Sequence, residues 1–200
     1  METTLTLKLT GTRPMLMHNG RLANPLDPHT RAIKAIAGKK KKTDADYANL
    51  ALLESRGGMY EAPGDVIGLP IENVWTSLRD AGRAFKIGKQ IEQALIPSPE
   101  IVPLEIDGAT IKCDDYLTDH PERLSYVPVV VNNKRTMRAR PIIPVGWQAT
   151  VSFTLLDDVL QLETLAPAID RAGRLVGLGD RRPMFGTYTV EVVGAKKTKK

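Results

Sequence analysis

Basic side chains that suit phosphate binding are concentrated in three stretches of the sequence. The first stretch contains Lys134, Arg135, Arg138 and Arg140 and no acid. In a strand, positions 134, 136, 138 and 140 share one face, and neighbours on that face are about 7 Å apart. Guanidinium groups at this spacing suit successive phosphates of a single nucleic-acid strand. The alternative is a hairpin edge that its charges keep soluble.

The second stretch lies on the polar face of a predicted helix. Arg79, Arg83 and Lys86 lie opposite a predicted apolar face of Val74, Leu78, Ala81 and Phe85. We expect Asp80 to lie away from pairing distance on that stripe. The alternative is an ordinary solvated face, which most amphipathic helices have.

The third stretch is a loop punctuated by glycines. It contains Arg174, Gly177, Gly179, Arg181 and Arg182. Glycines let a backbone approach a phosphate closely, and the arginines supply positive charge. The spacing is neither a dinucleotide-binding fingerprint nor a P-loop, since no strand precedes it and no Gly-Lys-Ser/Thr is present. The alternative is a plain connection after a helix with a glycine cap.

Residues typical of catalysis are sparse. His18, His29 and His120 have no helix-spaced metal-ligating partner, and the sequence contains no nucleophile elbow. Asp27 and His29 lie in one loop and suit acid–base or metal chemistry, but an ordinary Pro-rich loop is favoured. The lone Cys113 excludes an intramolecular disulfide and a cysteine zinc cluster. We therefore predict no catalytic residue, no metal and no cofactor.

Net charge alone does not identify the partner. The value of +5 becomes −3 when the eight lysines Lys39–Lys42, Lys196, Lys197, Lys199 and Lys200 are set aside, so only local clustering argues for nucleic acid. The sequence has no apolar run of the length that a membrane span needs. Together with the single cysteine, this favours a protein of the reducing cytoplasm with no membrane partner.

A small set of elements must position the three basic stretches. Alternation predicts a strand over residues 5–10, and the amphipathic helix follows Pro70. The remaining predicted core elements are a strand over 101–106, a hairpin over 126–140 that turns at Asn132-Asn133, a strand over 148–155, a helix from Asp157 or Asp158 to Ala172, and a strand over 184–193. This order predicts an α+β fold, a ferredoxin-like or RRM-type βαββαβ core with four antiparallel strands and both helices on one face.

The predicted organisation is a single domain over residues 1–195. Residues 20–65 form a partly helical insertion, in which Thr43 and Asp46 suit a capping box. Residues 115–141 form an inserted β-hairpin, called a thumb below, and residues 196–200 form a basic tail.

Two segments resemble motifs of the RAMP superfamily, the RNA-binding proteins of CRISPR effector complexes. Residues 67–81, IGLPIENVWTSLRDA, are similar to the "IPGSSLKGALR" segment of that group, with Glu72 and Asn73 in place of the Gly-Ser pair. Residues 177–188 are similar to its glycine-rich loop and final strand. The order of parts resembles backbone subunits that polymerise along a guide RNA, which have a ferredoxin-like palm and a hairpin thumb between the second and third core strands.

The resemblance implies a binding protein of an antiviral ribonucleoprotein. Its ligand would be single-stranded RNA or DNA, and its protein partners would be further copies of itself and other effector subunits. At 200 residues the chain would be a reduced, phage- or plasmid-encoded relative. Some members cut target RNA with an Asp after the first strand, for which Asp27 is the counterpart. The alternatives are a metal-dependent RNA-processing nuclease that uses Asp27 with His18 or His29, and a phage structural or partner-binding protein.

Overall fold

The computed structural model describes residues 2–131 and 133–198, with the side chains of Val131, Lys134 and Thr198 excepted. The strands are β1 (Glu2–Gly11), β2 (Met15–Leu16), β3 (Glu61–Ala62), β4 (Val66–Pro70), β5 (Leu95–Pro97), β6 (Ile101–Pro103), β7 (Glu105–Ile106), β8 (Ala109–Thr110), β9 (Leu124–Val131), β10 (Lys134–Ile143), β11 (Gln148–Leu156) and β12 (Tyr188–Thr198). The helices are α1 (Pro28–Ala37), α2 (Asp44–Gly58), α3 (Ile71–Gly82), α4 (Gly88–Ala94), α5 (Tyr116–Asp119) and α6 (Leu162–Arg171). The fold is therefore α+β, as predicted.

The main sheet is antiparallel and has β1 near its centre. Its strand order is β12-β1-β11-β7-β8, and β5 pairs with another part of β11. Leu5, Leu7 and Leu9 are fully buried on one side of β1. Thr6 and Lys8 are only partly buried on the other side. The alternation of apolar and polar residues thus forms the predicted half-buried strand, because successive side chains point to opposite faces.

Helices α3 and α6 contact each other and cover the apolar side of the main sheet. Val74, Leu78 and Ala81 are buried on α3, which confirms its amphipathic face. That face ends at Gly82, where a 3₁₀ turn begins, so Phe85 is 44% exposed rather than part of it. Helix α6 includes Pro167 and contacts α3.

The predicted start of the last helix is wrong. Gln161 occupies the N-cap position of α6, whereas both Asp157 and Asp158 precede the helix. The Asp157 carboxylate instead accepts a hydrogen bond of 2.8 Å from the Thr3 hydroxyl. A contact between distant parts of the chain has therefore replaced the expected local cap.

The predicted strand over residues 101–106 is divided between two sheets. Ile101–Pro103 pairs with β4 in a separate three-stranded sheet, whereas Glu105 pairs with β11 of the main sheet. Upstream of this range, Leu95–Pro97 also pairs with β11. Proline has no backbone N–H, so Pro97 and Pro99 prevent β5 from continuing as a ladder. The chain then leaves β11 and returns to it only at β7, where Glu105 pairs with Gln148.

The predicted hairpin is confirmed. Strands β9 and β10 pair from Lys134↔Val131 to Pro141↔Leu124, and Asn133 has a positive φ of 60° in the turn. Asn132 lies outside the described residues. The foot of β10 pairs with β2, and α2 packs against β10. Thr43 and Asp46 form the predicted capping box at the start of α2.

The last strand is displaced from its predicted position. It begins at Tyr188 instead of Met184 and continues to Thr198. Lys196 and Lys197 pair with Thr4 and Thr3 of β1. The first three residues of the predicted basic tail are therefore strand residues, because β1 is long enough to supply partners for them.

In the part of the chain that the structure describes, no helix is both long enough and apolar enough to cross a bilayer.

Candidate nucleic-acid interface

A buried carboxylate fixes the hairpin to helix α2. Glu54 is 4% exposed, and its Oε1 lies 2.5 Å from Nη1 of Arg138. Its other oxygen, Oε2, accepts a hydrogen bond of 2.9 Å from the backbone N–H of Ala139. Both oxygens therefore have partners on β10, so the charge of Glu54 is compensated despite its burial.

A second ion pair fixes the foot of the hairpin to the glycine loop. Nε of Arg140 lies 2.5 Å from Oδ2 of Asp180, and the Arg140 side chain is 11% exposed. The contact is an ion pair and not an aligned hydrogen bond. The backbone N–H of Asp180 in turn donates to the carbonyl of Leu16 in β2 at 2.8 Å. Hairpin, glycine loop and β2 thus meet at one place.

The arginines of β10 consequently have two different environments. Arg138 and Arg140 are paired with acids that lie 84 residues away or in the glycine loop, so the absence of acids within the stretch did not show that its charges are free. Arg135 is exposed, and none of the ion pairs in the described residues involves it. The Lys134 side chain lies outside the described residues.

The glycines of the loop permit close approach of protein backbone. Gly177 and Gly179 have φ of 76° and 75°. A Cβ atom at Gly179 would overlap the carbonyl oxygen of Leu16, and one at Gly177 would lie 3.0 Å from the carbonyl oxygen of Gly186. Packing against β2 and the loop's own return therefore accounts for both glycines without a ligand.

The arginines of the loop are divided in the same way as those of the hairpin. Arg174 pairs with Asp170 at 3.0 Å, one helical turn away. Arg181 and Arg182 are exposed, and Arg181 lies over the Phe185 ring at 5.8 Å. Among the described residues, no acid forms an ion pair with Arg181 or Arg182.

Two concave regions flank the junction. The loop cleft, of about 250 Å³, lies between the glycine loop and the start of α3 and is lined by Gly179, Arg182, Asn73 and Thr76 among others. The hairpin cavity, of about 440 Å³, lies between β10, α1 and the turn before α1. His18 lines both regions, so they adjoin at this residue.

The charges and burial at this junction change the pKa of His18. Partial desolvation of the ring, followed by the positive charge of Arg140, lowers the pKa of His18 below its usual value of 6.5, while Asp180 acts in the opposite direction. The ring therefore favours its neutral form, which can both donate and accept a hydrogen bond.

The basic stretch at the end of α3 is neutralised by acids of its own neighbourhood. Arg79 and Arg83 lie 3.1 and 3.4 Å from the same Asp80 oxygen, and Arg79 lies 3.8 Å from Glu92. The expectation that Asp80 is out of reach is therefore wrong. Long arginine side chains reach an adjacent or i−3 carboxylate that a helical-wheel argument places off the stripe. Lys86 follows the helix, is exposed, and adopts a positive φ of 61°.

Asp27 has a structural role that the predicted Pro-rich loop did not include. Its carboxylate caps α1 by accepting hydrogen bonds from the N–H groups of His29 and Thr30, at 2.9 and 3.3 Å. Within residues 2–131 and 133–198, no cluster of three His, Cys, Asp or Glu side chains is placed to bind a metal ion.

Sequence reasoning missed Glu54 and Asp180 and considered His18 only for catalysis. Glu54 had a recognisable signal, because it lies at helical spacing with Ala51, Ser55 and Gly58 on the buried side of α2. An acid on an otherwise small and buried stripe needs a partner from another element. Asp180 had no such signal, since its partner is fixed only by the tertiary fold.

Two examples stand for the solved structures that are similar to this one. Cmr6 from Pyrococcus furiosus is 10% identical, with a TM-score of 0.40 over 94% of this chain and 98% of that chain. Csc2 from Thermofilum pendens is 12% identical, with a TM-score of 0.35 over 98% of this chain and 66% of that chain. Both are RAMP-type CRISPR effector subunits, the group that the sequence motifs resemble. No protein-family model and no curated protein matches the chain. Since both TM-scores lie below 0.5, the function has to follow from the residues of this chain.

Proposed function

We propose that the protein is a single-stranded nucleic-acid-binding subunit, with RNA as the favoured ligand, which binds without cutting and assembles side by side along the strand. Its core would be the ferredoxin-like palm of a CRISPR-type ribonucleoprotein subunit, with strands β1, β5, β11 and β12 in the spatial order β12-β1-β11-β5 and helices α3 and α6 on one side. The β9–β10 hairpin would be the thumb.

One observation carries the proposal: the hairpin and the glycine loop, which are distant in sequence, are joined by the Arg140–Asp180 ion pair. The joint holds the loop that carries Arg181 and Arg182 against the foot of the strand that carries Arg135 nearer to the turn. A nucleic-acid strand that crosses this junction would meet exposed guanidinium groups from both elements.

The charges also favour a phosphate backbone over a particular base sequence. Acids compensate the inner arginines Arg138 and Arg140, whereas Arg135, Arg181 and Arg182 have no acid partner in the described ranges. Guanidinium groups free of internal partners can replace counterions on phosphates, which makes binding salt-dependent and largely independent of sequence.

Edge strands support assembly along the ligand. Strand β9 lies at the edge of the hairpin sheet, and β12 lies at the edge of the main sheet. Val130 on β9 is 70% exposed, and Val193 on β12 is 49% exposed. Unpaired edges with exposed valines are suited to contact with a neighbouring copy.

A binding titration tests the proposal. The purified chain is titrated with fluorescent 40-nucleotide single-stranded RNA, the matching DNA and the duplex at low salt, and the mass of each complex is measured. We expect tight binding to the single strands, with several protein copies on each. Full-length RNA should be recovered after incubation with magnesium. Absence of binding to every strand would overturn the proposal, and RNA cleavage that Asp27→Ala abolishes would replace it with the nuclease.

A further inference from the structure

The hairpin cavity combines apolar walls with a surplus of hydrogen-bond donors. Leu22, Ile33, Val129 and Ala139 supply aliphatic surface to a space of about 440 Å³. That volume is within the range of pockets that bind small organic ligands. Arg138, Arg140 and Lys34 also line the cavity.

The one carboxylate among the residues that line the cavity is already used by the protein. Both oxygens of Glu54 are occupied by Arg138 and Ala139. The side chains of Arg138, Arg140 and Lys34 bring only donors to the cavity, so a ligand gains more from acceptors than from donors.

One donor in the cavity wall has no partner. Nη1 of Arg140 is buried, and no hydrogen-bond acceptor among the described residues reaches it. Burial of an unpaired polar atom is costly, and such atoms in folded proteins call for a partner. The Arg140 side chain is held by Asp180 through Nε, so Nη1 is presented in a fixed orientation.

We propose that the hairpin cavity binds a nucleobase with exposed keto groups, guanine or uracil, in preference to adenine or cytosine. The inference rests on the proposed function and adds a base-binding site to the proposed phosphate contacts. A flat ring covers the aliphatic walls, which a phosphate alone would leave uncovered. The edge of guanine that carries O6 and N7, and the edge of uracil that carries O4, present only acceptors to guanidinium groups, whereas the corresponding edges of adenine and cytosine carry an amino donor.

Two sources of such a base are chemically equivalent: an unstacked base of the bound strand and a free nucleotide. The first arm of the experiment compares an oligoadenylate with the same strand carrying one guanosine or uridine in place of an adenosine, and with one carrying a cytidine. The second arm measures saturation-transfer NMR of GMP and UMP against AMP and CMP.

Variants that fill the cavity test its role without changing a charged residue. Ala37 lies at the end of α1 and lines the cavity, whereas Ala35 is exposed on the same helix and does not. Ala37→Trp should fill the space, and Ala35→Trp is the matched control. Ala23→Phe fills the cavity from the turn before α1, in case Ala37→Trp does not fold.

We expect the wild-type protein to prefer a guanosine- or uridine-containing strand by about tenfold. Ala37→Trp and Ala23→Phe should abolish that preference with unchanged affinity for oligoadenylate, and Ala35→Trp should retain it. A signal for GMP and UMP without strand preference would assign the cavity to free nucleotides, which also supports the proposal.

Three results would overturn the inference: equal affinity for all bases in both arms, a preference that both filling variants leave intact, or a preference for adenine or cytosine. Loss of self-association in the filling variants, with base preference unchanged, would assign the cavity to a side chain of a neighbouring copy and would also overturn it. Failure of the proposed function is distinct, because there no strand binds, and free nucleotides still test the cavity.

Discussion

The inner arginines, Arg138 and Arg140, and the outer arginines, Arg135, Arg181 and Arg182, differ in what their charges do. On β10, Arg138 and Arg140 are partly or largely buried against Glu54 and Asp180, whereas Arg135 near the turn is exposed. The glycine loop repeats the division, with Arg182 exposed next to Asp180, the partner of Arg140. The inner pairs join the two elements, and the outer guanidinium groups have no acid partner among the described residues. Under the proposed function, identical side chains on one strand serve folding at its foot and binding near its tip.

The largest effect is expected from breaking the inner pair at Glu54. Glu54→Ala removes the partner of Arg138 and leaves the Ala139 N–H unpaired. The Arg138 side chain is 40% exposed, so its charge stays partly hydrated when Glu54 is lost, and the main loss is the hydrogen bond of the Ala139 N–H to a charged group, which contributes about 1.5–3 kcal/mol. Urea denaturation should therefore show a free energy of unfolding lower by about 2 kcal/mol. A change below about 1 kcal/mol would show that the hairpin does not depend on this joint.

The next largest effect concerns the outer arginines and should appear in affinity, not in stability. The double variant Arg135→Glu, Arg182→Glu should weaken single-strand binding by at least about tenfold at low salt, because it places negative charge where phosphates bind. The free energy of unfolding should change by no more than about 0.5 kcal/mol, as for other exposed sites. Equal loss of stability in this variant and in Glu54→Ala would remove the distinction between inner and outer arginines.

A smaller effect is expected from pH, through His18 at the boundary between the inner and outer regions. Its lowered pKa means that the folded state binds fewer protons than the unfolded state, so this group costs stability as the pH falls through 6.5. A bound polyanion favours the protonated ring, so the pKa of His18 should rise on binding and affinity should increase as the pH falls.

NMR titration of the His18 ring with and without oligonucleotide measures this change. The ring of His120, which lines neither concave region, serves as the reference. A pKa of His18 that falls on addition of the strand would place the ligand elsewhere.

The smallest effect is expected at the end of α3. Arg79→Ala and Arg83→Ala remove charges that Asp80 and Glu92 already compensate. Their effect on the same binding titration should be less than about threefold, since surface charges in pairs contribute little field to a distant ligand. A loss as large as that of the outer double variant would extend the interface to this helix.

The elements that depend on local pattern were predictable, and the charge pairing was not. The alternation around Leu5–Leu9, the amphipathic α3, the capping box at Thr43 and the turn after Val131 are all short-range signals, and the structure contains them. The split of residues 101–106 between two sheets depends on which strands are free to pair, which local sequence does not contain.

The same limit applies to the candidate site. The three basic stretches were recognisable, but which arginines are free depends on acids brought in by the fold, Glu54 from α2 and Asp180 from the glycine loop. Gly179 does permit a close approach of backbone, as predicted, but the group that approaches it is the Leu16 carbonyl and not a phosphate. Local composition therefore identified the basic stretches and overestimated their free charge.

The salt dependence of single-strand affinity tests the central claim most directly. For single strands, the slope of log affinity against log salt is about −0.7 for each phosphate neutralised. If Arg135, Arg181 and Arg182 each contact a phosphate, the wild-type slope should be about −2 or steeper, and the Arg135→Glu, Arg182→Glu variant should lose at least about 1.4 of it. Glu54→Gln, which keeps the outer arginines, should retain the wild-type slope in the fraction that is folded. A wild-type slope near zero, or the same slope in the outer double variant, would contradict the account.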